Sequence, residues 1–187
     1  MTNLTADDQK RAAAVAALEY VKPNMRLGLG TGSTAEHFVR ALSPRVKAGL
    51  KLTTVATSER TAALARELGI AVGDLNTVRR LDLTVDGADE IGPGLVLIKG
   101  GGGALLREKI VAGASDRMIV IADAAKLVDT LGRFPLPVEI APFAWAVTME
   151  RIAEAAARSG CGQNLMRLRG GEAHPFKTDG GNFIADC

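Results

Sequence analysis

Residues 85–109, VDGADEIGPGLVLIKGGGGALLREK, gather the residue types that proton transfer on a charged substrate requires. Asp86, Asp89 and Glu90 stand together, Lys99 precedes Gly100, Gly101, Gly102 and Gly103, and Glu108 follows. Carboxylates beside a lysine supply a base, an acid and a cation for a developing oxyanion. Asp86 and Asp89 enclose Gly87 and Ala88, and carboxylates this close can hold sugar hydroxyls, bind Mg²⁺ or carry a raised pKa. The plainer alternative is a solvated acidic turn, and no histidine is near enough to complete a good metal set. By itself Glu108, between Arg107 and Lys109, reads as part of a charged helix face. Lys99 reads as a strand end whose ammonium reaches the sheet edge. Successive glycines at a strand–helix junction cost backbone entropy, and they leave room for a ligand against the main chain. The stretch points to an enzyme acting on a small polar anion.

A second cluster, Gly30-Thr31-Gly32-Ser33-Thr34, lies between a short apolar run and a helical pattern. The amides of a helix N-terminus, with the Ser33 and Thr34 hydroxyls, would cradle a phosphate. Each favourable charge contact at a helix end contributes ~0.3–1 kcal/mol. Ser33 replaces the third glycine of a dinucleotide fingerprint, and no Gly-Lys-Ser/Thr follows as in a P-loop. An ordinary turn with Ser/Thr caps is the alternative. Lys126, after Ala122-Asp123, is a candidate phosphate ligand, and Lys10 in the first helix is a weaker one. The only histidines, His37 and His174, leave no material for a catalytic triad, and no G-x-S-x-G elbow is present. Cys161 and Cys187 make neither a disulfide framework nor a zinc spacing.

These residues need elements to position them. Thr5 with Asp8 reads as a helix start, and the helix runs to about Val21 with Val15, Leu18 and Val21 on one face. Strands are expected over 26–29, 52–56, 70–72, 81–85, 96–98 and 118–121. Helices are expected over 35–42, ended by Ser43-Pro44, over a segment capped by Ser58 and ended by Gly69, and over about 103–112. Alternating strands and helices imply parallel βαβ units. The expected fold class is α/β, a Rossmann-like open, mostly parallel sheet with helices on both faces. Ligands of such sheets sit beyond the carboxyl ends of the strands. GTGST, TSER, DGADE, KGGGG and ADAAK all follow strands, so the fold can gather them on one edge. Past Gly132 the texture changes. A strand over 138–140, a helix from Pro142 to Arg158 and strands over 166–169 and 182–186 suggest a smaller α+β domain. The division expected is 1–134 and 135–187.

The chain has 187 residues, 47% hydrophobic and only 4% aromatic, so its core must be mainly aliphatic. Net charge is +2, from 23 basic and 21 acidic residues that are interspersed, with no basic block suited to nucleic acid. The start lacks the pattern of a signal peptide, and no apolar run reaches membrane-spanning length. A soluble, cytoplasmic protein without membrane or nucleic-acid partners is expected.

GLGTGSTAEHFV, TVDGADEI, LIKGGGGALLREKI, ADAAKLVDTLGRFPLPVE and TDGGNFIADC, in this order along nearly the whole chain, closely resemble the A-type ribose-5-phosphate isomerases. The resemblance implies interconversion of ribose 5-phosphate and ribulose 5-phosphate, in the pentose phosphate pathway, through a cis-enediolate. It implies that Glu108 is the acid/base. Asp86 and Asp89 would be the sugar-binding pair, with Gly87 and Ala88 between them, and would take part in ring opening and hydroxyl proton transfer, Asp86 being counted among the catalytic residues. Lys99 would stabilise the negative oxygen, with Gly100, Gly101 and Gly102 around the reacting end. Thr31, Gly32, Ser33 and Thr34 would bind substrate, with Lys126 and Lys10 near the phosphate. It implies no cofactor and no metal, and a homodimer or dimer of dimers. The family's members continue past the segment matching 182–187. The small domain is therefore expected to be C-terminally incomplete, with an altered oligomer and an exposed sheet edge. The other readings are a related sugar-phosphate isomerase or deaminase and a non-catalytic sugar-phosphate sensor.

Overall fold

The computed structural model of the protein describes residues 4–161 and 166–187. Its elements run α1 (Ala6–Ala17), β1 (Arg26–Leu29), α2 (Ser33–Lys47), β2 (Thr53–Ala56), α3 (Glu59–Glu67), α4 (Leu75–Val78), β3 (Leu83–Asp86), β4 (Glu90–Ile91), β5 (Leu97–Ile98), α5 (Leu105–Gly113), β6 (Met118–Val120), β7 (Pro137–Ile140), α6 (Trp145–Arg158), β8 (Arg167–Leu168) and β9 (Phe183–Asp186). Among the described residues no helix is long and apolar enough to cross a membrane.

Four parallel strands form the first sheet in the order β2-β1-β3-β6. Leu27, Leu29, Leu83 and Val85 face α1 and α2 in the main core. Val55, Leu81 and Val111 pack on the opposite side, where α5 lies. Helices thus cover both faces, as expected of an open α/β sheet. A Cβ at Gly28 would overlap the Thr84 side chain and stand 3.0 Å from Val111, so a residue without one lets α5 close on the sheet. The chain goes from β1 outward to β2, then returns to the other flank as β3. The β1/β3 boundary is therefore a topological switch point, where loops part and leave a crevice.

Local chemistry explains the boundaries and several departures from the sequence reading. The capping box forms, with Asp8 N–H on the Thr5 hydroxyl (3.2 Å) and Thr5 N–H on the Asp8 carboxylate (3.1 Å). Ala14, Ala17, Leu18 and Val21 make the inward stripe at the helical spacing. Val15 lies beside that stripe and is half exposed, contrary to expectation. Ser43-Pro44 does not end α2. Phe38, Val39 and Leu42 are fully buried and the Ser43 hydroxyl bonds Leu68 O at 2.7 Å, which holds the helix in place despite the amide that proline lacks.

The strand expected over 70–72 shrinks to one bridge, Thr54 to Val72. Ile70 N–H instead closes the end of α3 on Ala65 O, and Asp74 already caps α4. β5 does not join the parallel sheet. The Pro93-Gly94 turn, with Gly94 at φ 70°, reverses the chain, and β5 pairs antiparallel with β4. Met118–Val120 and Leu105–Gly113 fall within two residues of expectation.

The later segment builds a separate antiparallel sheet, β7-β9-β8. Ile140, Leu168, Phe183 and Ala185 form its core, against Trp145, Met149 and Ile152 of α6. α6 begins at Trp145 rather than Pro142, because Ala144 takes a left-handed conformation, φ 50°, ahead of it.

Candidate active site

The ends of β1 and β3 are neighbours, so the 30–34 and 87–89 loops leave the sheet side by side. Asp86 is the last residue of β3 and only 1% exposed. Its Oδ1 accepts the amides of Thr31 (3.0 Å) and Gly87 (2.7 Å). A Cβ at Gly30 would overlap the Asp86 carboxylate and main chain, so the first glycine of GTGST is what lets Asp86 sit between the loops. Lys99, just past β5, points into the same crevice. Its Nζ donates to Gly87 O at 2.6 Å and lies 3.0 Å from Asp86 Oδ2.

Glu108 comes from the first turn of α5. It is 4% exposed, and its Oε2 is 3.4 Å from Lys99 Nζ. That approach is a charge contact without hydrogen-bond geometry: Oε2 is buried and accepts no hydrogen bond among the described residues. Burial, together with the Asp86 carboxylate, pushes Glu108 up to about 7, against the opposing pull of Lys99. Burial works to lower the Lys99 pKa. The Asp86 and Glu108 carboxylates outweigh it and hold the ammonium above its ordinary value. The result is a cation fixed between two carboxyls, one anchored by amides and one poised to exchange a proton near neutrality.

The match to known proteins is close. Residues 53–187 fit the family model described as ribose 5-phosphate isomerase A (phosphoriboisomerase A). The chain is 65% identical over 184 residues to ribose-5-phosphate isomerase A of Parvibaculum lavamentivorans, covering 98% of this chain and 80% of that protein. The solved ribose 5-phosphate isomerase of Plasmodium falciparum superposes with a TM-score of 0.88 at 38% identity, over 96% of this chain and 77% of that one. A D-ribose-5-phosphate isomerase solved in complex with phospho-erythronic acid gives 0.87 at 38% identity, over 98% and 79%. The chain belongs to the ribose-5-phosphate isomerase A family.

The isomerase's glycine loop is built differently from the sequence reading. Asp89 Oδ2 accepts Gly101 N–H at 2.7 Å, so this carboxylate fastens the loop. A Cβ at Gly101 would lie 2.6 Å from Asp89 Oδ1 and from Phe134 Cζ, and one at Gly103 2.6 Å from the Phe176 ring. Gly100 and Gly103 also have positive φ, 95° and 82°. Only Gly102 is exposed and faces nearly open space, 3.9 Å from Thr31 Cγ2. The run thus serves mainly close packing and left-handed turns, rather than the open space expected at every glycine.

In the phosphate-candidate loop, the Thr31 hydroxyl is occupied. It bonds Thr57 (2.7 Å) and Ser58 (2.8 Å), and Thr61 in turn bonds Gly30 O at 3.0 Å. Gly32, at φ 107°, precedes α2 with no side-chain cap, so the first-turn amides keep their capacity for a ligand. Ser33 is exposed and Thr34 is buried. Lys126 sits in a short turn, Ala124–Lys126, capped by Asp123. Gln9 of α1 accepts Ala124 N–H at 3.0 Å, which ties the elements carrying Lys10 and Lys126 together. Gly87 contributes both its amide and its carbonyl to the centre, while Ala88 is half-buried beside it.

Sequence reasoning missed the hydroxyl cluster of Thr57, Ser58 and Thr61, although TSER was recognised as following a strand. It also missed Arg169. That guanidinium pairs with Asp186, donates to Gly101 O at 2.8 Å and stacks on Phe176. No local pattern marks Arg169, because its partners are far apart in the chain.

Proposed function

We propose that this chain interconverts D-ribose 5-phosphate and D-ribulose 5-phosphate, with Glu108 carrying the proton between C1 and C2. In the open-chain aldose, the Glu108 carboxylate removes the C2 proton. The C2–H electron pair forms the C1=C2 bond, and the carbonyl pair moves onto O1. Lys99 faces that oxygen and stabilises its charge. Asp86 takes the proton from the C2 hydroxyl and delivers it to O1. Glu108 then returns its proton to C1, giving the ketose. Every proton is accounted for by the chain's own groups, and no electron leaves the sugar.

Asp89, Gly87 and the glycine loop frame the reacting end. The first turn of α2, with Ser33 and Thr34, takes the phosphate together with Lys126 and Lys10. Binding energy at the phosphate orients the distant carbons. The relative solved with phospho-erythronic acid supports a sugar-phosphate anion as ligand of this fold. On this reading residues 1–134 are the catalytic unit and 135–187 a supporting one. The family likeness also carries the expectation of a cytoplasmic homodimer or dimer of dimers, which light scattering checks for the assembly.

The observation that carries the reading is the buried Glu108 carboxyl, whose Oε2 accepts no hydrogen bond among the described residues, raised to about 7 beside Lys99 and Asp86. A general base works best with a pKa near the working pH and contributes about 10²–10⁴-fold. A coupled assay with ribose 5-phosphate in EDTA should show turnover by the wild type. Glu108→Gln should lose about that factor in kcat while still binding substrate. Full turnover by the variant would remove Glu108 from this role.

A further inference from the structure

The helix that carries Glu108 cannot cap itself. Its N-cap is Ala104, at φ −98° and ψ 9°, which makes no side-chain hydrogen bond. The first amides of a helix lack partners within it and need an acceptor from elsewhere. For α5 that acceptor comes from the second sheet: Leu106 N–H donates to Glu139 Oε2 at 2.9 Å, and Glu139 lies on β7. A carboxylate also complements the positive end of a helix.

Glu139 is itself held by a part of the sequence that the reaction scheme leaves unused, TDGGN at 178–182. Its Oε1 accepts the Thr178 hydroxyl at 2.9 Å and the Asn182 side-chain amide at 3.0 Å. The turn is closed by Thr178 N–H on Asn182 O (2.9 Å) and Asn182 N–H on the Thr178 hydroxyl (3.1 Å). Gly181, at φ 78°, supplies the left-handed corner. The neighbouring Asp179 accepts Glu59 N–H at 2.7 Å and lies 3.7 Å from Arg107 Nη1. Arg107 directly precedes Glu108. The turn therefore grips α5 at its first amides and again beside the base.

We propose that Glu139 is a positioning residue for the isomerisation: from the second sheet it caps α5 and fixes where Glu108 stands. Held by Thr178 and Asn182, it sets the first turn of the helix, and with it the separation of the Glu108 carboxyl from Lys99 and Asp86. Glu139 itself lies outside the group that meets substrate. This rests on Glu108 being the base.

The test compares Glu139→Ala, Glu139→Gln and the double variant Thr178→Val/Asn182→Ala with Glu108→Gln, in the 187-residue chain checked by circular dichroism. A displacement of about 1 Å in a catalytic group costs as much as 10²-fold. Glu139→Ala should lower kcat by about 10- to 100-fold with KM within about twofold, because the phosphate loop is untouched. The groups facing Glu108 are Asp86, Asp89 and Lys99, so a displaced base should titrate away from about 7, toward the ordinary carboxylate value. Glu139→Gln keeps an acceptor oxygen and should recover most of kcat, and the double variant should lose an intermediate amount. Wild-type kcat in Glu139→Ala overturns the proposal, as does a fall in kcat with the pH midpoint unmoved. If Glu139→Ala does not fold, the double variant decides: wild-type kcat and midpoint there overturn the proposal. An active Glu108→Gln would instead remove the base reading, whereas an inactive one beside an unaffected Glu139→Ala removes only the positioning role.

Discussion

Glu90 and Glu108 are both hidden from solvent, at 1% and 4% exposure, yet they titrate in opposite directions. Glu90, on β4, lies beneath the 132–134 loop and accepts Gly132 N–H at 2.8 Å and Phe134 N–H at 2.6 Å. The Gly132 amide, joined by Phe134, outweighs burial and holds Glu90 below the usual carboxylate value. Glu108 has no such donors on its buried Oε2 among the described residues, so burial and the facing Asp86 carboxylate raise it to about 7. Concealment alone does not set a carboxyl's proton affinity. The supply of hydrogen-bond donors decides whether a buried glutamate is a structural anchor or an exchangeable acid. Within one residue type, the protein uses Glu90 to fasten a loop, and on the proposed mechanism it uses Glu108 for chemistry.

Short of replacing Glu108 itself, the largest expected effect comes from making its pocket poorer still. Lys99→Met leaves Asp86 and Glu108 facing each other without a cation. We expect kcat to fall by about 10²–10³-fold, in line with loss of an oxyanion-stabilising group. The ascending limb of the pH–rate profile should lie higher in pH than that of the wild type, since the group that lowers the Glu108 pKa is gone. An unmoved midpoint would mean that the titrating group is not Glu108.

The next effect is on stability. Glu108 holds its proton more tightly when folded, at about 7, than at its ordinary 4.5. Its contribution is therefore fully present below pH 4.5 and lost as pH rises through about 7. The loss amounts to about 3 kcal/mol. Glu108→Gln is neutral at every pH, so in urea unfolding it should match wild type near pH 4.5 and exceed it by about that amount above pH 8. Equal stabilities at both pH values would contradict the raised titration.

The smallest effect tests the other side of the pair. Glu90→Gln keeps one acceptor but turns an amide NH₂ toward a backbone donor. We expect about 1–3 kcal/mol of lost stability and a pH–rate midpoint equal to that of wild type. A shift of that midpoint would show that the two glutamates do not act separately.

Much of the site was legible because it is built from consecutive residues. GTGST after β1 and DGAD after β3 each carry their own turn chemistry, and a parallel sheet brings the ends of neighbouring strands together. The glycine run was legible as a loop, but not in its purpose. Phe134, Phe176 and Asp89 fill the space beside Gly101 and Gly103, and no spacing rule predicts which side chain will arrive there. Glu108 ran against the pattern of its own helix. Ile110 is 51% exposed while Glu108 is 4% exposed, so apolar periodicity points the wrong way round α5. Pro44 misled for a similar reason: a local breaking signal yielded to buried Phe38, Val39 and Leu42.

By itself the sequence determined the alternating elements, the loops that follow the strands and the inventory of reactive side chains. Propensity, caps and turn residues act over a few neighbours, and those features are local. The tertiary structure alone decided which face of α5 looks inward, that Lys99 lies between Asp86 and Glu108, and that Glu139 and Arg169 reach across from the second sheet. Those outcomes depend on contacts between residues distant in the chain, where packing and desolvation, rather than local preference, set the energies.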